Sequence, residues 1–157
     1  MANNSVVRKP AEGRAFWLFD SLYEVKAGSK ETGGVMTVME ITTLPGMGPP
    51  PHTHDGTESV YVLEGRVRYY IGDDTFEGGP GTFFHIPKGV VERYDPIDTV
   101  RVLITYTPGG IDEFFEEIGE PAQAHELPPP TGQPPEFERL QTVGARYGIQ
   151  MQPMPAG

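Results

Sequence analysis

The stretch PPPHTHDGTESVYVLEG, residues 49–65, decides how this chain is read. It sets two histidines two apart, His52 and His54, and a glutamate, Glu58, four further on. In a strand, side chains at i and i+2 share a face. His52 and His54 therefore project together, and Thr53 points away. Glu58 follows a short Asp-Gly-Thr turn and opens a second strand. A hairpin-like reversal there returns its carboxylate toward the two imidazoles. Two neutral imidazoles and a carboxylate on one side of a cation leave coordination positions open, the facial arrangement of non-haem iron and related ions. A lone histidine reads as an ordinary surface or core residue. Three donors at this spacing, between a proline-stiffened approach and an apolar strand, read as a metal site.

The charge balance narrows the partners. Lys and Arg number 12 against 22 Asp and Glu, a formal net charge of −10. Nucleic acid and anionic membrane surfaces both call for a basic face, so neither is expected. No stretch approaches the ~20 apolar residues of a membrane span. The opening MANNSVVRKPAEGRAF has no apolar run after its charges, unlike a signal peptide. A cytoplasmic protein is expected. The chain has no cysteine and only four histidines. Disulfides, thiolate ligands and a catalytic thiol are excluded, so a metal here is held by nitrogen and oxygen.

The 157 residues fit one domain spanning 1–157. Short β-rich runs recur between turn signals: 14–20, 22–27, 35–44, 58–65, 66–72, 82–87, 88–95 and 99–108. Runs 58–65 and 66–72 read as a hairpin about Glu64-Gly65, and DTFEGGPG (74–81) leads into the run 82–87. No helical pattern interrupts the first 108 residues, which argues for antiparallel strands in a sandwich or small closed barrel rather than a βαβ fold. The texture then changes. GGIDEFFEEIGE (109–120) places Ile111, Phe114, Phe115 and Ile118 on one helical face. A Pro-rich connector (121–136) precedes a second short helix over 136–148, with Phe137, Leu140 and Val143 on one side. The two helices read as covers for an open end of the β body or a dimer seam, with a lid over a pocket as the other reading.

The motif-bearing stretch resembles a known family. GMGPPPHTHDGTESVYVLEG (46–65) matches the first cupin motif from Gly46 through His52, His54 and Glu58 to Gly65, and GTFFHIPKGVVE (81–92) resembles the second through Gly81, Pro87 and Gly89. The flanks, including the ending TPGGIDEFFEEIG, look like small single-domain microbial cupins described as quercetinase-like. The resemblance implies an all-β jelly-roll barrel, with a core of about 14–108 and a helical, Pro-rich extension over 109–157. It also implies a metal inside the barrel and a homodimer. The second motif departs from the family at two places. Where the family has a histidine as its fourth metal ligand, this chain has Glu92, and where it has an asparagine, this chain has Pro96.

Three roles for Glu92 follow. As a fourth ligand it makes a site of two histidines and two carboxylates. Such a site neutralises a divalent ion, weakens it as a Lewis acid, and suits Mn or Fe better than soft Cu(I). Beside a metal held by His52, His54 and Glu58, it is a base for substrate or water. Without a metal, Glu58 and Glu92 face each other and one must keep its proton, a pair suited to acid–base chemistry. Tyr94, two residues on, shares the face of Glu92 and is expected to touch substrate or to pack. Phe84, Met36, Val60 and Ile104 are core positions that make any cavity they face apolar. His85 is a weaker candidate ligand, and His125 in the connector is expected in solvent. Trp17 and Phe19 are expected to alternate on an early strand.

The reading that results is an enzyme dependent on a divalent transition metal (Fe, Mn, Ni or Zn). It acts on a small aromatic or polyketide-like molecule by the O2-dependent oxidation that the resemblance implies. Glu58, Glu92 and Tyr94 are its catalytic candidates. Two alternatives stand: a cyclase or isomerase of a natural-product intermediate working through Glu92 and Glu58, and a cupin that binds a small molecule without turnover.

Overall fold

The computed structural model describes residues 4–133 and 136–154. Ten strands precede the first helix: β1 (Ala15–Leu18), β2 (Ser21–Ala27), β3 (Thr37–Thr43), β4 (His52–His54), β5 (Thr57–Glu64), β6 (Val67–Ile71), β7 (Asp74–Gly78), β8 (Phe83–Ile86), β9 (Glu92–Pro96) and β10 (Val100–Thr107). Helix α1 (Ile111–Ile118), strand β11 (Glu120–Pro121), helix α2 (Phe137–Arg146) and strand β12 (Ile149–Met151) follow. They build two antiparallel sheets, ordered β11-β1-β2-β3-β10-β5-β8 and β12-β4-β9-β6-β7. This is the jelly-roll fold. Among the described residues no strand pairing joins the two sheets, so they face each other without closing into the expected cylinder. No helix among these residues is long and apolar enough to cross a membrane.

Strict alternation places the core. On β10, Val100, Val102, Ile104 and Tyr106 are buried, and on β5, Glu58, Val60 and Val62 are. Each fully buried aliphatic side chain contributes about 1.5–3 kcal/mol. The same alternation carries two carboxylates inward, because Glu58 keeps step with Val60 and Glu92 keeps step with Tyr94.

Several sequence expectations are corrected. β5 pairs with β10 and β8, whereas β6 pairs with β7 and β9. The Glu64-Gly65 turn is therefore a crossing between sheets and not a hairpin. The hairpin at this point is β6–β7, and its second strand lies in DTFEGGPG, outside the runs read as β-rich. Phe19 is not in a strand. It forms with Asp20 the two-residue turn between β1 and β2, both in the left-handed region at φ 54° and 53°. That conformation costs a non-glycine residue about 1–2 kcal/mol. The C-terminal extension is more than helical, since it adds edge strands to both sheets: β11 beside β1 and β12 beside β4.

The helices bury the faces read from their periodicity, Ile111, Phe114, Phe115 and Ile118 of α1 and Leu140 and Val143 of α2, except that Phe137 is only half-buried. The connector between them is tied down. Trp17 Nε1 donates to the Glu126 carbonyl at 2.9 Å, and Thr131 Oγ1 donates to Asp20 at 2.8 Å. His125, expected in solvent, is half-buried with its Nδ1 3.2 Å from Glu24 Oε1.

Candidate metal centre

Four potential ligands converge between the sheets. β4 presents His52 and His54, β5 presents Glu58 and β9 presents Glu92. His52 and Glu92 are direct partners across the β4–β9 pairing. His52 Nε2 lies 3.2 Å from Glu92 Oε1, and His54 Nε2 lies 3.2 Å from Glu58 Oε2 and 3.4 Å from Glu92 Oε1. One donor atom from each residue falls within 4.8 Å of all the others. The structure thus brings together the four residues proposed from the sequence as ligands, Glu92 included. His85 stays outside, on the exposed edge, with its Nδ1 3.1 Å from Ser59 Oγ.

His52 is oriented for ligation. Its Nδ1 lies 2.8 Å from the Pro50 carbonyl. A carbonyl only accepts, so Nδ1 carries the hydrogen and Nε2 keeps its lone pair toward the cluster. Histidine ligands are commonly fixed this way. The approach loop that holds Pro50 is pressed onto β9. A Cβ at Gly48 would lie 1.9 Å from the Tyr94 carbonyl oxygen, so the position tolerates no side chain.

The electrostatics call for a cation. Glu58 and Glu92 are 3% and 2% exposed. Desolvating a carboxylate costs several kcal/mol even after relaxation, more than a buried valine returns. Yet His54 Nε2, Glu58 Oε2 and Glu92 Oε2 are buried with no hydrogen-bond partner. Their short mutual distances lack hydrogen-bond geometry. Orphaned donors on one imidazole and two carboxylates, with the second imidazole beside them, fit a divalent transition ion. Burial pushes the Glu58 carboxyl well up, and the neighbouring Glu92 adds to this. Burial also works to raise Glu92, but Glu58, His52 and His54 outweigh it and hold Glu92 low. Burial works to lower His54, but Glu58 and Glu92 override it and hold the imidazole protonated up to about 10. A divalent ion has to displace these protons. Metal uptake by stripped protein is therefore expected to weaken as pH falls, and to release about two protons per ion in weakly buffered titrations. A pH-independent affinity would contradict this charge balance.

The cluster sits at the base of a cavity of about 40 Å³. Tyr94 lines it, as expected. The other proposed contacts do not. Val60 and Ile104 lie one inward step deeper than Glu58 and Tyr106 and are fully buried beneath the site. Phe84 packs on Tyr69, ring centroids 4.7 Å apart. Met36 lies just ahead of β3, its backbone engaged by Thr32. The cavity wall instead includes Tyr23, Tyr106, Phe114, Phe115, Ile149 and Met151. Tyr23 and Tyr106 carried a signal, being in inward phase with Val25 and Ile104. Ile149 and Met151 lie in a three-residue strand too short to show a period. Tyr23 and Tyr94 share a hydrogen bond, and burial pushes both phenols up, so both stay protonated.

The comparisons agree with this geometry. The family described as Cupin domain matches residues 39–109, the span carrying all four cluster residues. Quercetin 2,3-dioxygenase of Bacillus subtilis is 28% identical over 125 residues, which cover 78% of this chain and 37% of that enzyme. The chain thus spans little more than a third of that relative. Among solved structures, an RmlC-like cupin from Shewanella frigidimarina superposes with a TM-score of 0.58 at 15% identity, covering 66% of this chain and 89% of its own. Pac13, a nucleoside dehydratase from Streptomyces, superposes with a TM-score of 0.56 at 13% identity, covering 80% and 95%. The His-x-His and Glu spacing, the two facing antiparallel sheets and these likenesses agree, and residues 39–109 of this chain form a cupin domain.

Proposed function

We propose that this chain is a metal-dependent enzyme that oxidises a small aromatic or polyketide-like molecule with O2, in the manner of a quercetinase. The observation that carries the reading is the buried cluster of His52, His54, Glu58 and Glu92, three of whose donor atoms, on His54, Glu58 and Glu92, have no hydrogen-bond partner. The likeness to a quercetin dioxygenase supports the reaction class. A divalent transition ion held by these residues supplies Lewis-acid and redox chemistry. Two carboxylates cancel its charge and favour the harder Mn and Fe within the set Fe, Mn, Ni and Zn. The chain's own residues do the rest. Glu58 or Glu92 accepts the proton of a substrate hydroxyl. Tyr94 and Tyr23 are both protonated, and the phenol hydrogen not spent on their mutual bond donates to a substrate oxygen. Phe114, Phe115, Ile149 and Met151 keep water out.

A second reading has its own observation. Glu58 is pushed up and Glu92 held down in one cavity. Two carboxyls forced apart in this way suit acid–base catalysis, as in a cyclase or isomerase.

Protein purified without chelator is expected to carry about one transition ion per chain, and saturating metal at ~100 Kd adds about 2.7 kcal/mol of stability over stripped protein. At roughly 2–4 °C per kcal/mol for a chain of this size, the melting temperature rises by roughly 5–10 °C. Less than ~0.2 equivalents of any transition ion, with no thermal shift on adding Fe(II), Mn(II), Ni(II) or Zn(II), sinks the metal-centred readings. O2 uptake with quercetin then separates oxidation from the acid–base alternative.

A further inference from the structure

The cavity above the four donors poses a problem of size. At about 40 Å³ it has room for an ion and a water or two. A drug-sized ligand needs a pocket of about 300 Å³ or more. The missing space lies next door. A cleft of about 360 Å³ is lined by Met47, Pro50 and Met154, with Gly46, Gly48 and Gly132 bringing backbone close and Asp20, its carboxylate engaged by Thr131 and Gly132, and Gln133 as its polar members. Phe19 lines both volumes, and Pro49 faces the inner one while its neighbours Gly48 and Pro50 face the outer.

The two parts of this wall differ in freedom. The 48–50 segment is held against β9, as the close approach of Gly48 to the Tyr94 carbonyl shows. Phe19 is a half-buried side chain on a turn. Its backbone conformation is one that glycine or asparagine normally supplies in such hairpins. Asp20 beside it has a compensation: its carboxylate accepts hydrogen bonds from Thr131 N at 3.1 Å, Thr131 Oγ1 at 2.8 Å and Gly132 N at 3.3 Å. The Phe19 ring makes no such bond, and only its backbone carbonyl is engaged, by Ser21 Oγ at 3.1 Å. What the strained position provides is a ring in the wall, and retained backbone strain at a cavity points to a working role.

We infer that Phe19 is the gate between the donor cavity and an apolar subsite in this cleft. On this view a substrate puts its oxygen-bearing ring at the donors and its second ring or hydrocarbon end past Phe19 against Met47, Pro50 and Met154. The inference rests on the reading that the reacting end lies at the four donors. It assigns the substrate class as molecules longer than one ring with an apolar far end. A second space of about 280 Å³ also reaches His54, but Asp55 and Arg146 stand in its wall, which suits polar solute and not an apolar end.

Two variants of the full chain, in its metal-loaded form, test this by calorimetric binding of quercetin and catechol. Phe19→Gly keeps the turn, since glycine adopts positive φ freely, and joins the two volumes. Met47→Trp fills the outer cleft and leaves the donor cavity alone. Quercetin is expected to bind Phe19→Gly about tenfold more tightly than wild type, and Met47→Trp about tenfold more weakly. Catechol, a single ring, is expected to stay within about twofold in both. Unchanged quercetin affinity in both variants overturns the gate. So does catechol moving in parallel with quercetin, or the absence of quercetin binding to wild type and Phe19→Gly alike. If Phe19→Gly does not fold, by circular dichroism, Met47→Trp decides alone. Phe19-dependent binding without O2 uptake overturns the oxidation reading and leaves the gate standing.

Discussion

Replacing Glu92 with glutamine is expected to weaken Fe(II) or Mn(II) binding by about 100-fold or more, above what loss of an outer hydrogen-bond partner costs. Glu92 Oε1 lies 3.2 Å from His52 Nε2 and 3.4 Å from His54 Nε2, and its side chain is 1% exposed. Glutamine keeps the volume and removes the charge. Glu58 alone then faces a divalent ion, and the cavity carries an uncompensated positive charge in an apolar surround. Glu92→His restores a nitrogen donor with that same net charge, so it separates ligand from base. If Glu92 is a ligand in an oxidase, Glu92→His retains metal, acidifies bound water more strongly, and raises O2 uptake with quercetin. If Glu92 is the proton carrier of a cyclase or isomerase, Glu92→His retains metal, shows no O2 uptake and abolishes that activity. Metal content unchanged in Glu92→Gln removes Glu92 from the ligand set.

How much of this was legible depends on whether the information was local. His52, His54, Glu58 and Glu92 could be singled out because motif spacing and strand parity are local properties. How Glu58 reaches the histidines was not. The Asp55-Gly56 turn reads as a hairpin, but β4 and β5 lie in different sheets, and the chain crosses between them. Gly56 makes room for that crossing, where a Cβ would lie 2.4 Å from the Thr107 carbonyl oxygen. Turn chemistry does not tell a hairpin from a sheet crossing, and Glu64-Gly65 has the same ambiguity. There a Cβ on Gly65 would lie 2.2 Å from the Thr99 carbonyl oxygen. Tyr23 and Tyr106 were readable only as inward-facing core. Their arrival beside Glu58 depends on β2, β3, β10 and β5 lying side by side. Ile149 and Met151 were beyond reach, because β12 exists by pairing with the histidine strand, Ile149 opposite His54 and Met151 opposite His52.

The largest loss of stability is expected away from the metal, at Asp112. This residue is 1% exposed in the first turn of α1, and three residues distant in sequence donate to its carboxylate. Arg14 Nη2 does so at 2.8 Å, Thr37 Oγ1 at 2.7 Å, and Ser29 through its backbone N at 3.2 Å and its Oγ at 3.4 Å. Thr37 Oγ1 in turn accepts from Gly110 N at 3.1 Å, which secures the start of the helix. Asp112→Ala strands these donors. Arg14 is 42% exposed and can rehydrate, whereas Thr37 and Ser29 are buried. The expected cost is about 2–4 kcal/mol, a fall in melting temperature of roughly 5–15 °C at 2–4 °C per kcal/mol. Burial works to raise this carboxyl, but the hydrogen bonds from Thr37, Arg14 and Ser29 outweigh it and hold it below its ordinary 3.8. A lowered folded pKa stabilises above the unfolded value and stops doing so as pH falls through the folded one. The gap between wild type and Asp112→Ala in denaturant unfolding is therefore expected to stay full at neutral pH and to narrow below about 3.8. A gap that widens on acidification refutes the assignment. Since α1 carries Phe114 and Phe115 into the cavity wall, its amides in Asp112→Ala are expected to exchange before those of β10. A loss of protection spread evenly over both would mean that Asp112 supports the whole sandwich and not the helix that closes the site.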